Sequence, residues 1–284
     1  MAEAAPSAAL VKEGLVRARL AALDGAVVAY SGGVDSSYLL ALAVSELGAR
    51  ALALTAVSAS VLPEDVVEAT ALARRLGARH RLVDSAETSD PRYAANPTNR
   101  CYFCKTELYD LCRGEAQRLG IGAVVSGTNA DELSDWRPGL AAADEHGVVA
   151  PLAEAGMTKA EIRERSRALG LPTWDKPQSP CLSSRIPYGV EVTPERLRQI
   201  GAAERAMRSL GLRVFRVRYH GELARLEVAA DELPALLARS ADATRLLRAA
   251  GFKYAVVDLE PFRSGRLNEA AGLVRLGGSR ASAG

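Results

Sequence analysis

The strongest constraint on the fold of this chain comes from residues 30–37, Tyr-Ser-Gly-Gly-Val-Asp-Ser-Ser. The apolar run at residues 26–29 before it predicts a buried strand, and the run at residues 38–44 after it predicts a helix. A glycine turn between a strand and a helix forms an anion cradle, because free N–H groups and the helix dipole point to one place. The alternative is an ordinary turn in which Ser36 or Asp35 caps the helix.

Strand-like and helix-like segments alternate through the first half of the chain. We predict buried strands at residues 26–29 and 51–57, further strands at residues 79–84 and 123–127, and helices at residues 8–23, 38–44 and 63–76. This order predicts an α/β fold, a parallel sheet wound by helices, with ligands at the carboxyl ends of the strands. Thr158 is expected to cap a further helix that ends at Leu169, and residues 134–149 are expected to be a surface connection.

The pattern changes after residue 193. A helix, two alternating strands, a second helix and a final strand are predicted at residues 194–210, 213–219, 223–228, 231–250 and 254–259. This order predicts a smaller α+β domain. We therefore expect one domain over residues 1–185 and a second over residues 186–284, with a disordered tail from residue 277.

Composition argues against several classes of protein. The chain is 48% hydrophobic and 25% charged, with a net charge of +2, which is ordinary for a soluble protein and gives no sign of a broad nucleic-acid surface. The lack of a long apolar run and of a basic leader predicts a cytoplasmic protein without a membrane span. No Walker-type phosphate loop occurs, which argues against a kinase or GTPase of that type.

Four cysteines remain to be explained in a compartment where structural disulfides are rare. Cys101 and Cys104 lie three positions apart at the start of a predicted helix, and Cys181 lies in a proline-bounded loop. Arg185 near Cys181 would favour a thiolate, whereas the alternative is an inert small apolar side chain. Cys112 falls in an apolar helical pattern and is expected to be buried.

The segment Ser-Gly-Gly-Val-Asp-Ser at residues 31–36 resembles the pyrophosphate loop of the ATP pyrophosphatase superfamily, with its adenine nucleotide alpha hydrolase-like fold. Members of that superfamily adenylate a substrate and release pyrophosphate. Residues 127–131, Gly-Thr-Asn-Ala-Asp, resemble a second segment that lies along the nucleotide. The resemblance implies an ATP site, with Asp35 organising the Mg²⁺ of ATP, formed by Ser31, Gly32, Gly33, Asp35, Ser36, Asn129 and Asp131. Asn129 and Asp131 would serve equally well in a turn and a helix cap.

Three further segments resemble the LarE family of ATP-dependent sulfur transferases, which act in synthesis of the nickel-pincer cofactor of lactate racemase. They are Cys-Tyr-Phe-Cys-Lys at residues 101–105, Ser-Pro-Cys-Leu-Ser-Ser-Arg-Ile-Pro-Tyr-Gly at residues 179–189, and the run at residues 251–265. This resemblance implies that carboxylates of pyridinium-3,5-biscarboxylic acid mononucleotide are adenylated and then converted to thiocarboxylates. It also implies a homo-oligomer.

Two sulfur sources agree with this resemblance. In one, Cys181 attacks the adenylate, loses its own sulfur and becomes dehydroalanine, so each chain works once. In the other, Cys101, Cys104 and Cys181 hold three irons of a [4Fe-4S] cluster, and the fourth iron carries an extra sulfide. Zinc is the rival interpretation of the cysteine pair, but the three histidines show no recognisable zinc-ligand spacing.

Arg216 and Arg218 alternate onto one face of a predicted strand. Two guanidinium groups in this arrangement suit the phosphate of a mononucleotide, and the alternative is an exposed strand face. With the family resemblance we favour phosphate binding. Glu204 and Glu227 are further acidic candidates that the sequence does not distinguish from solvated surface.

Three other functions would use the same loop. A tRNA thiolase would need a basic surface of RNA size, which the net charge of +2 does not indicate. An ammonia-using synthetase of the NAD or GMP type leaves the Cys181 loop unexplained. A non-catalytic nucleotide-binding module would bind ATP without releasing pyrophosphate. We therefore expect a sulfur transferase that binds ATP and a small nucleotide, without a nucleic acid.

Overall fold

A computed structural model describes residues 7–134 and 137–273. The chain divides into two compact units, Met1–Ala94 with Asn99–Cys181, and Ala95–Thr98 with Leu182–Gly284. The expected boundary at residue 186 therefore falls inside the second unit, which also takes a short segment from the first half of the chain. The tail predicted from residue 277 lies outside the described residues.

The first unit is an α/β layer structure, as predicted. Its described residues form a parallel sheet with the strand order β3-β2-β1-β4, made of β1 (Ala26–Ala29), β2 (Ala51–Val57), β3 (Arg79–Asp84) and β4 (Ala123–Ser126). The helices are α1 (Ala8–Ala21), α2 (Val34–Leu47), α3 (Pro63–Arg75), α4 (Pro91–Ala94), α5 (Arg100–Leu119), α6 (Pro138–Glu145), α7 (Pro151–Glu154) and α8 (Lys159–Ala168). None of the described helices is both long and apolar enough to cross a membrane.

Strand β1 lies inside the sheet and is buried on both faces. Successive side chains of a strand point to opposite faces, and Val27 and Val28 accordingly belong to two different apolar clusters. Val28 packs with residues of α2 such as Leu39, whereas Val27 packs with Tyr109 of α5. Because β1 and β4 are parallel and in register, with Ala29 opposite Ser126, the loops that follow them emerge at the same edge.

The expectation of a surface connection at residues 134–149 is wrong, because this region contains helix α6. Pro138 occupies the first turn, where its missing N–H costs nothing, and the alanines that follow have high helix propensity. Ala142 is fully buried against the Val27 cluster. A Cβ on Gly139 would lie 2.9 Å from Cγ of Lys105, so glycine allows α6 to approach α5 closely.

The second unit is a small α+β structure, as expected. Its described strands are β5 (Phe215–His220), β6 (Leu223–Val228) and β7 (Tyr254–Val257), with β5 and β6 antiparallel and β6 and β7 parallel. Its helices are α9 (Pro194–Ser209), α10 (Leu233–Ala238), α11 (Ser240–Ala249) and α12 (Arg266–Ala270). The single helix predicted at residues 231–250 is wrong, because Arg239 leaves helical geometry with φ −115° and ψ 25°.

Candidate active site

The turn between β1 and α2 has the form of an anion cradle. Gly33 is the N-cap residue of α2, and no side chain caps the helix. The interpretation of Ser36 or Asp35 as a helix cap is therefore wrong. The Oγ atom of Ser36 instead accepts the N–H of Ser31 at 3.3 Å and lies 3.1 Å from Oγ of Ser31. The first N–H groups of α2 thus face the loop without a side-chain cap, which favours an anionic ligand.

Two glycines let the elements around this loop approach each other. Gly32 has a φ of +70°, and a Cβ there would lie 2.7 Å from Cβ of Ala69. A Cβ on Gly127, just after β4, would lie 2.8 Å from the backbone nitrogen of Ser36. Real Cβ atoms essentially never make contacts this short, so a side chain at either position would force its neighbours to move. The close approach of Gly127 brings the two segments predicted to bind ATP together.

Lys159, which sequence reasoning missed, connects these two segments. Its Nζ donates to Oδ2 of Asp35 at 2.5 Å, and its backbone N–H donates to Oδ2 of Asp131 at 2.8 Å. Asn129 Oδ1 accepts the N–H of Asp131 at 3.0 Å, so both residues fill the turn and capping roles considered above. A second missed lysine, Lys176, lies with its Nζ 3.5 Å from the carbonyl oxygen of Gly32. The feature of the sequence that could have indicated Lys159 is its position directly after Thr158, the residue predicted to cap a helix.

The surroundings of Asp35 suit a divalent cation. Its Oδ1 is buried and accepts no hydrogen bond from the described residues. Burial raises the pKa of nearby Glu132, and the negative charge of Asp35 opposes its ionisation further, against the effect of Arg137. Carboxylate oxygens are the ligands that Mg²⁺ prefers, and it usually completes its coordination with phosphate oxygens and water. Asp35 therefore fits the role that the loop resemblance implies.

A buried carboxylate lies beside one of the predicted cluster cysteines. Glu87, which follows β3, accepts hydrogen bonds from Oγ of Ser58 at 2.6 Å and Oγ of Ser60 at 2.5 Å. Burial raises the pKa of the Cys104 thiol well above its ordinary value, and the negative charges of Glu87 and Cys181 raise it further. Cys104 is therefore a protonated thiol at neutral pH, and it lies within electrostatic range of Cys181.

The three cysteines predicted to bind a cluster are not arranged as a ligand set. Cys101 is exposed, whereas Cys104 and Cys181 are partly buried. In the part of the chain that the structure describes, no group of three or more His, Cys, Asp or Glu side chains is placed to hold a metal ion. The residues as placed do not fit a [4Fe-4S] cluster. Cys112 is buried, as predicted, and burial raises its pKa to about 12.

The second unit buries the acidic and basic residues singled out in its sequence. Glu204 and Glu227 are not solvated surface, since their exposures are 1% and 0%. Arg185 donates to both carboxylate oxygens of Glu204, at 2.7 and 2.9 Å, so its charge is balanced there.

Arg216 and Arg218 are also buried, so the alternative of an exposed strand face is wrong. Arg218 donates to Oε2 of Glu227 at 2.7 Å. Arg216 donates to the carbonyl oxygen of Phe215 at 2.6 Å, and its guanidinium carbon lies 4.6 Å from the ring centre of Phe262.

Positive charge exceeds negative charge in this interior. Among the described residues of the second unit, the buried charged side chains are three arginines and two glutamates, namely Arg185, Arg216, Arg218, Glu204 and Glu227. Burial and the neighbouring charge of Arg185 lower the pKa of Arg216 to about 9. An anionic group beside Arg216 would restore the balance of charge.

Comparison with known proteins agrees with this geometry. Residues 9–99 match the family model of NAD synthase. The chain is 46% identical over 248 residues to an uncharacterized protein of Synechocystis, which covers 87% of this chain and 92% of that protein. It is 35% identical over 259 residues to the pyridinium-3,5-bisthiocarboxylic acid mononucleotide synthase of Lactiplantibacillus plantarum. This alignment covers 91% of this chain and 94% of that protein. The chain is thus an ATP-dependent enzyme of the pyrophosphate-loop superfamily and belongs to its LarE family of sulfur transferases.

Proposed function

We propose that this enzyme uses ATP to convert the carboxylates of pyridinium-3,5-biscarboxylic acid mononucleotide to thiocarboxylates. The relative from Lactiplantibacillus plantarum is named for the bisthiocarboxylic acid mononucleotide that this conversion yields. The observation that carries the proposal is the neighbouring pair Cys104 and Cys181, which lies in the same unit as the pyrophosphate loop. The thiol proposed to supply sulfur thus belongs to the same unit as the loop proposed to bind ATP.

In the first step, a carboxylate oxygen of the substrate attacks the α-phosphorus of ATP, and pyrophosphate leaves. Adenylation is needed because a carboxylate oxygen is a poor leaving group and AMP is a good one. The N–H groups of the Gly32–Gly33 turn and the start of α2 would hold the phosphates. A divalent cation held by Asp35 would neutralise phosphate charge when bound.

In the second step, the sulfur of Cys181 attacks the acyl carbon, and AMP leaves with the bonding electrons to give a thioester. Loss of the Cα proton of Cys181 then breaks its Cβ–Sγ bond, whose electrons stay on sulfur. The products are the thiocarboxylate and dehydroalanine at position 181. Each chain supplies one sulfur, so the two carboxylates of one substrate molecule consume two chains.

The alternative sulfur source is an iron–sulfur cluster on Cys101, Cys104 and Cys181, which would leave Cys181 intact. It requires the exposed side chain of Cys101 to turn toward the other two thiols. We further propose that Arg216 and Arg218 contact the phosphate of the mononucleotide, supported by the positive excess around them. A homo-oligomer in the cytoplasm completes the proposal, as the family resemblance implies.

Pyrophosphate release tests the substrate. The purified chain is incubated with ATP, Mg²⁺ and one of three acceptors: the biscarboxylate mononucleotide, an ammonium salt with a carboxylate substrate of the NAD or GMP synthetases, or bulk tRNA. Release with the mononucleotide alone supports the proposal. Release that depends on tRNA or on ammonia would replace it with a tRNA thiolase or an amide-forming synthetase. If no acceptor causes pyrophosphate release, the result would instead indicate a non-catalytic nucleotide-binding module.

Mass spectrometry and absorption test the sulfur source. After one turnover without iron, Cys181 is expected to be lighter by about one H₂S, the difference between cysteine and dehydroalanine. A cluster would instead give a brown protein after anaerobic reconstitution, with broad absorption near about 400 nm. That colour would be lost on replacing Cys101, Cys104 or Cys181 by Ala and kept in Cys112→Ala. A brown protein with an intact Cys181 after turnover would overturn the sacrificial route.

A further inference from the structure

The side-chain ammonium group of Lys159 is bonded to the carboxylate of Asp35, which the pyrophosphate loop would offer to a metal. Lys159, the first residue of α8, donates to Asp35 at 2.5 Å, and both side chains are mostly buried. The same lysine donates its backbone N–H to Asp131. Its side chain therefore starts from a fixed point and reaches across to the start of α2.

Helix α8 is held in place without this ion pair. Thr158 and Glu161 form a capping box at its start, and Ile162 is fully buried in the core. Lys12 of α1 donates to Glu161 at 2.7 Å and to the carbonyl oxygen of Gly156 at 2.8 Å. The side chain of Lys159 is thus available for a role other than anchoring its own helix.

The single bond from Lys159 leaves one oxygen of the Asp35 carboxylate without a partner among the described residues. Oδ1 of Asp35 stays buried and accepts no hydrogen bond from the described residues, although Oδ2 is bonded. Burial raises the pKa of Glu132, and the charge of Asp35 raises it further, whereas Arg137, Lys105 and Lys159 lower it, so a second acidic group lies close to Asp35. A divalent cation brings twice the charge and can bind carboxylate oxygens directly.

We infer that Lys159 is the counter-ion of Asp35 in the metal-free loop, that a divalent cation displaces it, and that the freed ammonium then contacts the phosphates of ATP. The lysine stem has four flexible carbons and carries three donors, so it can change partner without movement of the helix. The phosphates would lie over the same turn, where the uncapped N–H groups of α2 point.

The test is Lys159→Met in the full chain, with two measurements. The affinity for Mn²⁺ without nucleotide, followed by electron paramagnetic resonance, should rise about tenfold because the competing cation is gone. The affinity for ATP in saturating Mg²⁺, followed by calorimetry, should fall about tenfold because the phosphates lose a charged donor. Neither measurement uses the mononucleotide, so a failure here is separate from a failure of the proposed substrate.

Lys12→Met is the matched control, because Lys12 also contacts α8 but lies in an ion pair with Glu161. It should change neither affinity. Unchanged or weaker Mn²⁺ binding by Lys159→Met would show that the lysine does not compete with a cation. Unchanged ATP binding would show that the ammonium group of Lys159 does not contact the phosphates. Either result overturns the inference. If Lys159→Met does not fold, Lys159→Gln takes its place in both measurements.

Discussion

At the scale of single residues, burial and one neighbouring carboxylate together keep a cysteine protonated. Glu87 is buried, accepts two serine hydroxyls and lies beside the Cys104 thiol. A thiolate at Cys104 would therefore be desolvated and would face a negative charge. Both effects hold the proton on the sulfur of Cys104.

Glu87→Gln should lower the pKa of Cys104 while leaving it above the ordinary value, because burial is the largest cause of the shift and remains. A lower pKa means more thiolate at a given pH. The pH midpoint for alkylation of Cys104 by iodoacetamide, followed by peptide mass spectrometry, should therefore move to lower pH. Cys112, which is buried elsewhere, serves as an internal control. An unmoved midpoint would mean that the charge of Glu87 does not reach the thiol.

Arg216 and Arg218 should respond differently to truncation. Arg216→Ala should weaken binding of the mononucleotide about tenfold or more, since a charged hydrogen bond is worth roughly 1.5–3 kcal/mol, and should leave ATP binding unchanged. Arg218→Ala strips a partner from the buried Glu227 and should also lower the free energy of unfolding. Calorimetry and thermal melts measure the two effects, with the exposed Arg213→Ala as control. Equal loss of both ligands in Arg216→Ala would place Arg216 outside a phosphate site.

The sequence predicts residues that lie within contiguous motifs and misses those that reach a site from elsewhere. The loop serines and glycines, and the cysteines, stand out because several of them occur together. Lys159 and Glu87 are single residues of common types, and each lies far along the chain from a group it contacts, Asp35 for Lys159 and Ser58 for Glu87. The burial of Glu204 and Glu227 also depends on tertiary pairing, which alternation along a strand does not reveal.

At the scale of elements, the site depends on how closely β4 approaches α2. Gly127→Ala would place a Cβ 2.8 Å from the backbone nitrogen of Ser36, and a helix backbone cannot yield as a flexible side chain does. We expect a stability loss of about 1–3 kcal/mol from overpacking and a clear fall in ATP affinity. The control is Gly122→Ala, just before β4, where a Cβ meets nothing within 4 Å. Normal ATP binding by Gly127→Ala would show that the loop tolerates displacement of α2.

Periodicity predicts the elements where one pattern runs uninterrupted. Strands β1, β2 and β4 are apolar runs ended by turns, whereas β3 is polar and mostly exposed. The observed bounds of these four strands follow the prediction closely. Helix α6 was missed because Gly and Pro suggested a loop, although Pro suits a first turn and Gly139 serves a close helix contact. The break between α10 and α11 has no Gly or Pro signal, since Arg239 alone leaves helical geometry.

At the scale of the whole molecule, each unit contains a buried carboxylate whose pKa is lowered. For Glu13 of the first unit, burial raises the pKa, but hydrogen bonds from Arg165, Tyr38 and Arg17 outweigh it. For Glu204 of the second unit, burial is likewise outweighed, chiefly by the charge and hydrogen bonds of Arg185. A carboxylate with a lowered folded pKa stabilises the fold above its unfolded pKa, and this contribution is lost as pH falls through the folded pKa.

Acid unfolding of the first unit can be followed by itself, because Trp174 belongs to that unit and no tryptophan occurs in the sequence of residues 182–284. Glu13→Gln should lower the melting temperature at neutral pH, since breaking a buried ion pair costs about 3–5 kcal/mol. It should also flatten the fall of melting temperature with acid, because the titrating group is gone. Tryptophan fluorescence melts from about pH 7 down to about pH 3 measure both effects.

Glu164→Gln is the comparison for this experiment, because Glu164 is an exposed carboxylate on α8 and should change neither the neutral melting temperature nor the acid slope. Glu13 joins three helices, since Tyr38 comes from α2 and Arg165 from α8. The network therefore ties α1 and α8 to the helix that follows the pyrophosphate loop. An acid slope as steep in Glu13→Gln as in the wild type would mean that other carboxylates govern the acid stability of this unit, and that Glu13 titrates alike in the folded and unfolded chain.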